Sequence, residues 1–249
     1  MTEPSDDSSV PEAPHGTRHP AGSGGAPRRS VARQRRGWFT GGVLAHAPVS
    51  LVVLAVTVLV WALQWVPFAD VQGRLAFVPA FAAVEPWRAA TVALVHAMPS
   101  PWHLVFNMMG VVFFGGFVER AIGHWRFAVL YVLGAIGGSL AVWLLADPVS
   151  PDWWVMHVGA SGAVFALVGL LLVPSRALDR NIGGVLVFVA LNAAYGFLSP
   201  GISWESHLGG LVTGFVLGCV FVPWAAADRR RRARRRAAGG GQDRADGPV

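Results

Sequence analysis

The chain has 249 residues, 53% of them apolar and only 14% charged, with a mean hydropathy of +0.48. A typical soluble domain carries about 25% charged residues, so an ordinary soluble globular protein is excluded. The net charge of +6 rests wholly on Arg, because the chain has no Lys.

Six of the 20 Arg lie in residues 1–36 and eight in 229–244. Charge confined to the tails, around a nearly uncharged middle, describes a multi-pass membrane protein with basic ends rather than a nucleic-acid-binding domain. The single Cys219 excludes an intramolecular disulfide and a Cys-rich metal site.

Residues 1–36 are rich in Pro, Ser, Gly, Asp and Arg and bury too little apolar surface to fold alone. They make up most of a disordered basic arm assigned to residues 1–45. The membrane domain is assigned to 46–226 and an Arg-rich tail to 227–249. No Asp, Glu, Lys or Arg occurs from Gly37 to Ala69, and about 20 apolar residues cross a bilayer core. The first span is therefore placed at Pro48 to Pro67. A signal peptide also begins with basic residues before an apolar run. The nearest A-x-A-like site, Ala80-Phe81-Ala82, lies too far beyond this run, which favours a retained anchor.

Five further apolar stretches follow: Trp102–Val118, Phe127–Ala146, Gly159–Val173, Ile182–Leu198 and His207–Pro223. Several are short for isolated spans, yet a bundle tolerates short or tilted helices that leave a polar cavity above their ends. The run from Arg229 to Arg236 has seven Arg in eight positions. It stops transfer and meets anionic lipid.

Six spans put both termini on one side. With that side cytoplasmic, 18 Arg lie inside and only Arg74 and Arg88 outside, as the positive-inside rule requires. The expected fold is an all-α, six-transmembrane-helix bundle with disordered termini, in the cell membrane.

This topology brings the first turns of the second, fourth and sixth spans to one level near the outer face. They carry His103 and Asn107, Ser161, and His207 respectively. Polar side chains at membrane depth are expensive and mark candidate functional sites. His103 and Asn107, at i and i+4, share a helix face.

Ser161 lies in Gly159-Ala160-Ser161-Gly162, where small neighbours let another helix and a substrate backbone come close. A hydroxyl nucleophile needs a base within reach and donors aimed at the oxyanion. First-turn backbone N–H groups can be such donors. The same small residues also serve plain helix packing in membranes.

His207 is followed by Gly210, Gly214 and Gly218, a ladder suited to close packing against the fourth span with its Gly162, Ala166 and Gly169. His157, four residues before Ser161, is the rival base. It is set aside because the Asp147–Val158 loop offers no rigid support, and His96 reads as a loop-fixing side chain. No H-E-x-x-H motif, mid-span Asp or G-x-x-x-x-G-K loop occurs, so zinc, paired-aspartate and P-loop chemistries have no motif here. No metal and no cofactor is expected.

These residues resemble the rhomboid family of intramembrane serine proteases. The resemblance runs from about Glu85 to Gly218 and follows the family's order. Trp87-Arg88 is followed by His103-Leu-Val-Phe-Asn107, then Gly115-Gly116-Phe-Val-Glu119-Arg120 with Gly123, Gly159-Ala-Ser-Gly162 and His207-Leu-Gly-Gly210.

The resemblance implies a catalytic dyad of Ser161 as nucleophile and His207 as general base. It also implies an oxyanion and substrate-binding set of His103, Asn107 and the Gly159 segment. Phe165 corresponds to an aromatic ring stacked on the base, and Ser199–Ser206 to a cap that admits substrate. The implied partners are transmembrane protein substrates and the lipid bilayer, with no nucleic acid. The alternatives are a catalytically inactive rhomboid-like protein that binds membrane clients, and an unrelated small transporter or channel. An intact Ser161/His207 pair separates the enzyme from the first. Polar residues clustered at one end of the spans separate it from the second, with Asn192 as the exception.

Overall fold

The computed structural model describes residues 46–175, 178, 183–185, 187–191 and 203–242. The N-terminal arm, Asn192 and residues 199–202 of the expected cap fall outside these residues.

Seven helices organise the described residues: α1 (Pro48–Leu63), α2 (Val71–Leu75), α3 (Arg88–Thr91), α4 (Trp102–Ile122), α5 (His124–Leu145), α6 (Ser161–Leu171) and α7 (Trp204–Gln242). A further helical stretch covers 183–185 and 187–191, inside the expected fifth span. No strand longer than one isolated bridge occurs among the described residues.

Helices α4, α5 and α7 are each long and apolar enough to cross a membrane. Helix α1 and the segment Pro67–Leu75 pass that test together, bent by 107° at a short break. An all-α membrane protein is thus what the chain forms.

Helix α6 differs from the others. Its 11 residues make a rod about 16 Å long, roughly half of a hydrocarbon core. Every residue from Gly162 to Leu171 is buried. It is the axle of the bundle, sheathed by protein, and its Ser161 end is met by loops.

Glycine lets the neighbouring helices come this close. A Cβ on Gly210 would lie 2.1 Å from the Gly162 carbonyl oxygen, and one on Gly214 would lie 1.9 Å from that of Ala166. On the facing side, a Cβ on Gly169 would lie 2.1 Å from the Leu211 oxygen. The expected ladder therefore packs backbone to backbone against α6. Helix α5 joins from the side, where Gly134 faces Ala163 and Ala166, and Gly137 faces Thr213.

At the opposite end, Glu119 of α4 is fully buried and serves α1. Ala47, at the start of α1, has no side chain that can cap it. Glu119 instead accepts bonds from the Val49 and Ser50 N–H groups (3.0 and 2.8 Å) and the Ser50 hydroxyl (2.7 Å). Its carboxylate meets the exposed first turn of the helix, where N–H groups are unpaired and the dipole favours negative charge. His124 adds a fourth contact at 2.7 Å.

Helix α7 runs through the Arg run to Gln242, where the sequence reading expects a disordered terminus. Side-chain contacts anchor the start of this extension. Arg126 pairs with Asp228 and lies over the rings of both Trp125 and Trp224, which meet edge-on, while Arg229 donates to the Ala121 carbonyl.

Replacing Gly214 by Ala should destabilise the protein by about 1–3 kcal/mol, the usual cost of overpacking, because the clash is with backbone. Gly184→Ala is the control, since nothing lies within 4 Å of its Cβ position. Thermal unfolding in detergent should show a clear drop for the first variant and none for the second.

Candidate active site

The start of α7 is set by Ser203. Its hydroxyl accepts from the Ser206 N–H (3.2 Å) and donates to Glu205 (2.8 Å), an N-cap that begins the helix at Trp204. His207 therefore sits in the first turn, its N–H directed to the Ser203 carbonyl at 3.4 Å.

Its imidazole lies flat on Phe165, with ring centroids 4.3 Å apart and planes 10° apart. Phe165 is four residues after Ser161, hence on the same face of α6. With Gly210 pressed on Gly162, this brings the Ser161 hydroxyl and the His207 ring to one end of one helix pair. Among the described residues no direct hydrogen bond joins the two. Catalytic contacts are often long before substrate binds.

His103 stands beside this pair. Its Nδ1 accepts from the Ala97 N–H at 3.3 Å, which assigns the ring proton to Nε2. That nitrogen adjoins Gly159: a Cβ there would meet His103 Cε1 at 2.7 Å and Nε2 at 2.9 Å. Gly159 also has φ +120°, a conformation that L side chains avoid. Two independent constraints therefore demand glycine. One of the free N–H groups of the α6 first turn belongs to Ser161 itself.

His103, Gly159 and Ser161 line one cavity of about 30 Å³, together with Ser139, Ser203 and Ser206. This is room for a water or so. Asn107 is not part of that lining. It is buried, and its amide donates to the His103 carbonyl at 2.8 Å, leaving a second N–H.

The surrounding loops are fixed by residues that sequence reasoning missed or undervalued. Gln64, at the end of α1, pairs with both backbone groups of His96, accepting from its N–H (3.0 Å) and donating to its carbonyl (2.8 Å). His96 is fully buried. Its Nε2 accepts from the Ala160 N–H at 3.4 Å, and its ring lies edge-on to His103 at 5.3 Å. It fixes the loop, as read from the sequence, and also tethers the residue before Ser161. Arg88 is likewise buried, donating to the Gly73 and Ala76 carbonyls (2.6 and 2.9 Å) and pairing with Glu85. No pattern in the sequence flags Gln64; only its polar amide at a span end sets it apart.

The reason for setting His157 aside does not hold. Its loop is pinned by an antiparallel bridge, with the His157 N–H donating to the Phe77 carbonyl (2.7 Å) and the Phe77 N–H donating back (3.0 Å). The Gly159 N–H adds a bond to the Val92 carbonyl (3.1 Å). His157 lines the same cavity as Ser161. Burial pushes its pKa below the ordinary histidine range, with Glu205 and Asp152 pulling the other way. Among the described residues no group of three or more His, Cys, Asp or Glu side chains could hold a metal ion.

The fold defines a polytopic all-helical membrane protein with hydroxyl and imidazole groups gathered at one end of its bundle. The rhomboid domain family model matches residues 83–224, more than half of the chain, which therefore belongs to the rhomboid family. The chain is similar to RHOMBOID-like protein 1 of Arabidopsis thaliana, 34% identical over 145 residues (55% of this chain, 35% of that one). It is 32% identical over 143 residues to the putative rhomboid protease YdcA of Bacillus subtilis (55% and 68%). To the rhomboid protease GlpG of Haemophilus influenzae it is 27% identical over 182 residues (69% and 90%). It spans less than half the length of the Arabidopsis relatives it matches.

Burial, and to a lesser degree the neighbouring His103 ring, hold the His96 pKa down at about 3. The unfolded ring takes up a proton below about 6.5 while the buried one resists. The stabilising contribution is thus complete above that value and is lost as pH falls toward 3. His157 acts in the same sense. The unfolding temperature should drop between neutral pH and about pH 5, and His96→Asn should flatten that slope.

Proposed function

We propose that the protein is an intramembrane serine endopeptidase, cutting peptide bonds in or near transmembrane helices of other membrane proteins. Ser161 is the nucleophile and His207 the general base. The observation that carries this proposal is the flat stacking of His207 on Phe165, one turn from Ser161 on a helix locked to α7 through Gly162 and Gly210. The relatives named as rhomboid proteases support it as well.

Attack by Ser161 Oγ on a scissile carbonyl transfers its proton to His207, which returns it to the leaving amine. The protonated Nε2 of His103, the Ser161 N–H and the free amide hydrogen of Asn107 form the oxyanion set, and Gly159 leaves room for the substrate backbone. Removing one such donor typically costs about 10²–10³ in rate. A third-member carboxylate would have to stay ionised near membrane depth, at a cost of a few kcal/mol; a dyad avoids it. The scissile stretch must leave its own helical hydrogen bonds, which favours small or helix-breaking residues there.

In the proposed orientation both tails are cytoplasmic and the Ser161 end opens to the exterior, in keeping with the Arg distribution. The natural substrates are transmembrane proteins of the same membrane.

Ser161→Ala and His207→Ala should each abolish cleavage of a transmembrane reporter without lowering the unfolding temperature. Asn107→Ala should lower kcat more than it alters KM. An active-site phosphonate should label the wild-type protein and not Ser161→Ala. Failure to label the folded wild type would favour a client-binding protein without catalysis.

A further inference from the structure

A second, wider cavity of about 320 Å³ lies beside the one at Ser161, between the end of α5, the 147–158 loop and the start of α7. Three residues line both cavities: Val142, His157 and Ser203. The outer chamber also carries the carboxylates of Asp147, Asp152 and Glu205. The inner chamber holds about one water, and the hydroxyls of Ser139, Ser203 and Ser206 line it. The two chambers thus meet at a wall with a polar part, His157 and Ser203, and an apolar part, Val142.

Of the polar pair, Ser203 is committed at the α7 N-cap. His157 is the other polar residue common to both chambers. Its backbone cannot drift, because the two bonds to Phe77 hold it. We propose that His157 is a positioning residue that admits water from the outer chamber to the inner one, supplying the hydrolytic half of the reaction. This rests on the serine-hydrolase reading above.

Breakdown of the Ser161 ester consumes one water. The water oxygen bonds to the acyl carbon while the carbon–Oγ bond breaks, one water proton passes through His207 to Oγ, and the acid product leaves. Formation of the ester needs no water. A defect in supply therefore slows the second half-reaction and spares the first. A merely structural role, or service as the base for Ser161, would damage the first.

The experiment compares wild type, His157→Phe, His157→Leu and His157→Asn in detergent. It measures the rate of phosphonate labelling at Ser161, steady-state cleavage of a transmembrane reporter, and acylated Ser161 by intact mass. An apolar side chain at 157 should leave labelling within about twofold, cut turnover by about tenfold or more, and let acyl-enzyme accumulate. Asn, polar and smaller, should restore most turnover.

Equal loss of labelling and turnover in a folded His157→Leu would overturn the proposal, as would full turnover without acyl-enzyme in both apolar variants. If Phe does not fold, Leu decides. Absence of labelling in the wild type, or cleavage by Ser161→Ala, would instead remove the hydrolase reading itself.

Discussion

The contact between α6 and α7 governs the rest of this molecule. Without side chains at Gly169, Gly210 and Gly214, two backbones approach to a separation that no Cβ would permit. In lipid there is no hydrophobic drive between helices, so close van der Waals contact carries association. The geometry also leaves little freedom to slide or rotate, because each glycine faces a particular carbonyl. Whatever stands on the first turns of α6 and α7 is held in register. Ser161 and His207 stand there.

Around that pair the loops act as rigid parts. Gln64 clasps the backbone of His96, His96 receives the Ala160 N–H, and the bridge between Phe77 and His157 ties one loop to the other. Each backbone group so used is one that the low-dielectric end of the bundle would otherwise leave unpaired. Satisfying these groups and holding the candidate residues in place are therefore one solution. The chain positions His103 in the same way, since the Ala97 N–H occupies Nδ1 and leaves Nε2 as the donor.

The far end of the bundle is built on charge. Glu119 caps a helix that cannot cap itself, and Arg126 lies over two indoles while pairing with Asp228. Burying Glu119 is tolerable because four donors surround it. These contacts fasten α1 to α4 and α5 to α7 by charge-assisted hydrogen bonds.

Much of this was open to a reader of the residues alone. Apolar runs long enough for a bilayer, Arg gathered in the tails and glycines at four-residue spacing report the membrane class and a packing face, because hydropathy and helical period are properties of local sequence. So does the grouping of His103, Asn107, Ser161 and His207 at one end, which follows once alternate spans are known to run the same way. Partners that depend on three-dimensional neighbours were not legible. Nothing local tells Gln64 that it will meet His96, or Glu119 that it will cap α1. The loop of His157 looked unsupported because its partner, Phe77, lies 80 residues away. Local composition determined what kind of chain this is. Only tertiary contact decided which polar groups hold one another in place, since hydrogen bonds between distant segments leave no periodic trace in sequence.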